Sequence, residues 1–84
     1  MTTELDRKVI RQEAQKIARQ LARLWPELIT HVSLNTQEGE DAYLWIQAPV
    51  DLTSEVIVEA SNLGVDLYNQ KGIYVTPRMQ TLET

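Results

Sequence analysis

The 84-residue chain has no cysteine, no phenylalanine and a single histidine, His31. Without cysteine there can be no disulfide, no thiolate nucleophile and no cysteine-held zinc, and one histidine makes a poor zinc site by itself. Glycine is nearly as scarce. Gly39, Gly64 and Gly72 stand far apart, so no glycine-rich loop exists to cradle a phosphate. No apolar run approaches the roughly 18 residues of a membrane span, and the opening MTTELDRKVIRQ lacks the apolar centre of a signal peptide. These absences suit a reducing compartment, and a cytoplasmic protein is expected. A chain this short buries a modest share of its surface, so added burial against a partner counts for much.

Basic residues are missing from most of the chain. Residues 1–25 hold six of the eight lysines and arginines against three acids, whereas the remainder holds two against nine, giving a net charge of −4 overall. Such asymmetry bears on partners and solubility more than on fold. No repeat, low-complexity run or linker interrupts residues 1–84, which read as one domain.

What is present is hydrophobic periodicity. Ile10, Ala14, Ile17, Leu21 and Leu24 recur at steps of four and three, which predicts an amphipathic helix over about 4–24. Thr3 is its expected N-cap, with Glu4 and Asp6 near the positive end of the dipole, and Pro26 ends it at Trp25. LITHVSLN and AYLWIQA alternate strictly and predict two strands joined by a short polar connection, hence an antiparallel hairpin. A second helix follows over about 52–70, with Asp51 as its cap and Val56, Ile57, Ala60, Leu63, Gly64 and Leu67 turned inward. A glycine on that apolar face implies close backbone approach, and Gly72 supplies a left-handed stop. IYVT is a short third strand, ended by Pro77. The expected fold is α+β, ordered αββαβ. Its three-stranded mixed sheet carries both helices on one face, and strands 2 and 3 are parallel.

Five groups of residues are candidates for function. The stretch TQEGEDAYLWI sets Glu38, Glu40 and Asp41 around a glycine, but a turn does not hold a metal cluster in fixed geometry, and calcium loops space their acids differently. Those acids read as a solubilising hairpin tip. His31 could serve as a general base oriented by Asp41 or Glu40, although no serine nucleophile accompanies it. The rings are more informative. By alternation Tyr43 and Trp45, with His31, Ser33 and Tyr74, point away from the helices, where grouped rings suit a protein interface or base stacking unless Trp25 or the C-terminal tail covers them. Lys8, Arg11, Lys16, Arg19 and Arg23 lie on the first helix away from its apolar stripe and could contact phosphate or an acidic partner. Val58 and Val65, seven residues apart, project from the second helix opposite its buried stripe and could form a small contact patch.

From Glu40 to Met79 the chain resembles the minimal nucleotidyltransferase family, small proteins related to bacterial toxin–antitoxin systems. EDAYLWIQAP resembles that family's carboxylate-bearing strand and LYNQKGIYVTPRM the helix end and strand after it, so about residues 15–79 are covered. Where the family has a Gly-Ser pair this chain reads SLNTQ, and where it has Asp-x-Asp this chain has Asp41-Ala42-Tyr43, without the second carboxylate. Metal-assisted transfer needs several oxygen ligands. The resemblance therefore implies a scaffold without the chemistry, and no functional residue is carried over.

The expected function is a non-catalytic protein-interaction or regulatory domain with no cofactor and no metal. It self-associates, or meets another protein, through an aromatic sheet face anchored by Tyr43, Trp45, Tyr74 and His31. Nucleic-acid or nucleotide binding, by the same rings or by the basic helix, is the alternative, disfavoured by net charge. A degenerate nucleotidyltransferase-like enzyme is the third reading.

Overall fold

The computed structural model describes residues 7–81. Helix α1 spans Arg7–Leu24, strand β1 Ile29–Ser33, strand β2 Ala42–Ala48, helix α2 Thr53–Lys71 and strand β3 Val75–Thr81, with one 3₁₀ turn at Val50–Leu52 before α2. The order αββαβ and a three-stranded mixed sheet are those the sequence predicts, with β1 and β2 antiparallel and β2 and β3 parallel; the strand order, which the sequence leaves open, is β1-β2-β3. The cap expected at Thr3, with Glu4 and Asp6, lies outside the described residues.

The core follows from the periodicities. Ile10, Ala14, Ile17 and Leu21 of α1 and Val56, Ala60 and Leu67 of α2 meet Val32, Leu44, Ile46, Ala48 and Val75 of the sheet. Each large aliphatic side chain enclosed here contributes about 1.5–3 kcal/mol. Leu24 is a correction: it is 56% exposed, and Trp25 packs against the core at that end instead. Pro26 stops α1 as expected, the Trp25 N–H making the last helical bond to the Leu21 carbonyl at 2.8 Å.

Helix α2 begins differently from the expectation. Asp51 sits inside the 3₁₀ turn and caps nothing; Leu52 holds the N-cap position without a side-chain bond, and the Thr53 hydroxyl donates back to the Pro49 carbonyl at 3.2 Å. Gly64 confirms close approach, since a Cβ there would stand 3.0 Å from the Val75 carbonyl oxygen. Gly72 takes φ 70°, and its N–H closes the helix on the Tyr68 carbonyl.

Strand β3 starts later than expected and runs through Pro77 to Thr81. The reason is its place at the sheet edge. The Tyr74 carbonyl accepts from the N–H groups of Asp41 and Ala42, so residues 74, 76 and 78 face β2 and residue 77 faces outward. A proline there forfeits no ladder bond.

Candidate interaction surfaces

The hairpin connection organises itself around Tyr43. The Thr36 hydroxyl donates to the Glu40 carbonyl at 2.7 Å, and the Glu40 carboxylate accepts from the Glu38 N–H at 3.1 Å and the Tyr43 hydroxyl at 3.4 Å. The Gln37 N–H donates to that same hydroxyl at 3.3 Å. Asp41 works elsewhere: its carboxylate accepts from the Tyr74 N–H at 2.8 Å while its own N–H donates to the Tyr74 carbonyl at 2.8 Å. This reciprocal pair pins the start of β3 to the start of β2. The acidic cluster is thus a built turn and a strand clamp. Among the described residues, no group of three or more histidines and carboxylates stands together as a metal site.

The registers put Ile29, His31 and Ser33, then Tyr43, Trp45 and Gln47, then Thr76, Arg78 and Gln80 on the helix-free face. Its orientation is as expected, but its availability is not. Tyr43 is only 7% exposed. The Arg78 guanidinium lies 4.7 Å over its ring centroid, Trp45 meets it edge-on at 6.2 Å, and the hairpin closes over its hydroxyl. Trp45 is half-buried, and Gln47 and Gln80 tie their amides together at 3.1 Å. Tyr43 therefore cannot serve as an exposed interface anchor. The alternation missed this because Arg78 lies beyond Pro77, in the part of β3 the sequence reading left out.

Tyr74 is a second correction. It precedes β3, and its ring pairs with Tyr68 of α2 at 5.9 Å between centroids, so it belongs to the edge beside α2 and not with Tyr43 and Trp45. His31 is exposed at the opposite edge, level with Trp45 across the ladder.

A different apolar surface results. Val58, Val65, Tyr68 and Tyr74 are each 48–58% exposed. The last three border a cleft of about 350 Å³ between α2 and β3, completed by Ser61, Gly64 and Pro77. Contiguous exposed rings and valines of this kind mark contact surfaces. Thr76 also lines the cleft; its hydroxyl, on the helix-free side by register, is buried with no hydrogen-bond partner among the described residues. The Val58–Val65 spacing was legible in the sequence. Its continuation into Tyr68 and Tyr74 depended on knowing that α2 lies against β3.

On α1, Lys8, Arg11, Lys16, Arg19 and Arg23 are all exposed, as the helical wheel predicts. The unexpected charge is Glu13, buried on the apolar stripe, where its carboxylate accepts from Lys71 of α2 at 2.8 Å and from Lys16 at 3.3 Å. The Lys71 bond, aided by Lys16, holds this carboxyl below its ordinary range despite the opposing effect of burial.

No family model matches the chain, and neither a curated protein nor a solved structure shows significant similarity to it. Among the described residues no helix is long and apolar enough to cross a membrane.

Proposed function

We propose that this is a protein-interaction domain that self-associates through the α2–β3 surface. The observation that carries this reading is the seam of Val58, Ser61, Val65 and Tyr68, spaced three, four and three residues apart along one exposed side of α2 and extended by Tyr74. That spacing is the knob pattern of one helix laid against another. The positions flanking the seam are Asn62, Gly64 and Asn69, and the acids Glu59 and Asp66 stand further round. A second copy packed antiparallel therefore brings no like charges together at the two-fold axis. The small, exposed Ser61 lets the backbones approach, while the tyrosine rings supply area and keep their hydroxyls at the wet rim.

The cysteine-free sequence offers a clean test. Ser61→Cys places a thiol close to the proposed axis, and His31→Cys places one on the far edge of the sheet. Mild oxidation of dilute protein converts the first to a covalent dimer and leaves the second monomeric. Equal cross-linking of both, or of neither, contradicts the reading.

A further inference from the structure

The two edges of the sheet are treated differently. On β3, Gly64 of α2 crowds the Val75 carbonyl and Pro77 interrupts the outward row of N–H groups, two devices that discourage a further strand. On the other edge β1 reads ITHVS, rich in β-branched residues, and pairs with β2 alone. Among the described residues its outward backbone groups have no partner. Beside this edge runs a groove of about 510 Å³, walled by Arg11, Gln15 and Arg19 of α1 and floored by Thr30, His31 and Val32.

The groove is cationic and holds no counter-charge. Both ion pairs among the described residues go to Glu13, so neither Arg11 nor Arg19 meets a carboxylate. We propose that the groove takes an extended acidic segment of another protein, which joins β1 as a fourth strand while its carboxylates meet Arg11 and Arg19. Only a peptide backbone offers both donors and acceptors to match the strand edge. A nucleic acid supplies acceptors to the guanidinium groups but finds only the single His31 imidazole in the groove, with no phenol or indole ring beside it to stack successive bases. A second copy is disfavoured, because antiparallel pairing of β1 with itself brings Arg11 of one copy toward Arg19 of the other with no carboxylate between them. The spacing also fits. Arg11 and Arg19 are separated by about 12 Å of helix rise, and side chains on one strand face repeat about every 6.6 Å, so acids at alternate positions reach both. The groove lies across the molecule from the α2–β3 surface, and this binding stands independently of self-association.

The test uses the full chain and a fluorescently labelled, end-blocked peptide that alternates threonine with glutamate, followed by anisotropy at low salt. Saturable binding is expected, weakening steadily as salt is raised. The double substitution Arg11→Ala with Arg19→Ala, both exposed and harmless to the melting curve, lowers affinity about tenfold. N-methylation of two adjacent central amides of the peptide abolishes binding, because one of them must face β1. Failure of the peptide to bind overturns the proposal. So does indifference to the arginine pair, indifference to salt, indifference to N-methylation, or tighter binding of a single-stranded oligouridylate.

Discussion

Replacing Glu13 with glutamine tests the most specific electrostatic feature of the fold. In the wild type one carboxylate, 11% exposed, joins α1 to the C-terminal turn of α2 through Lys71 and accepts a second bond from Lys16. Hydrogen bonds to charged groups contribute about 1.5–3 kcal/mol each when shielded. The two lysines, however, are 49% and 56% exposed, so solvent screening reduces the pair to about 1–2 kcal/mol in total. For a domain of this size that corresponds to a fall in Tm of about 5–12 °C. The pH dependence follows from the direction of the shift. The carboxyl ordinarily titrates at 4.5 and is held lower in the folded state, first by the Lys71 bond, so its stabilisation is complete above that value and is lost as pH falls through the folded-state value. Urea unfolding followed by tryptophan emission, at matched protein concentration, should show Glu13→Gln clearly weaker than wild type at about pH 7. The gap should narrow as pH falls below 4.5 and close once the folded-state carboxyl is protonated. Equal stability at neutral pH, or a gap that persists in acid, refutes the reasoning.

Three further outcomes follow from the packing. Gly64→Ala gains about 1 kcal/mol of helix propensity but forces α2 off the Val75 carbonyl, and overpacking at a backbone atom costs about 1–3 kcal/mol; thermal denaturation should show a net loss. Asp41→Ala removes the acceptor for the Tyr74 N–H and should cost about 1–2 kcal/mol, with hydrogen exchange rising first at the β2–β3 junction. Trp45→Ser, which perturbs the helix-free face, should leave the association state unchanged, as light scattering after size exclusion will report.

The elements that decide the architecture were legible because their periods were clean. AYLWIQA alternates without a break and is β2 residue for residue; the Ile10–Leu21 stripe and the Gly64 contact were likewise read correctly. Pro77 misled because a proline stops a central strand but not an edge strand whose outward N–H is spare, and the sequence does not say which strand is at the edge. One error about the site came from that misreading, and a second from extending the strand back to Tyr74, which precedes β3. Arg78 was not seen to cover Tyr43, and Tyr74 was assigned to the wrong face. Glu13 escaped notice because its partner Lys71 is 58 residues away, a pairing no helical wheel can reveal.

The central claim is that α2, not the aromatic sheet face, joins two copies of the chain. Sedimentation equilibrium over a wide concentration range, comparing wild type with Val65→Asp, tests it most directly. A wild-type dimer is expected, with the charged substitution weakening it by about 3 kcal/mol, roughly a hundredfold in dissociation constant. A wild-type monomer throughout, or a dimer that Val65→Asp leaves intact, contradicts the claim.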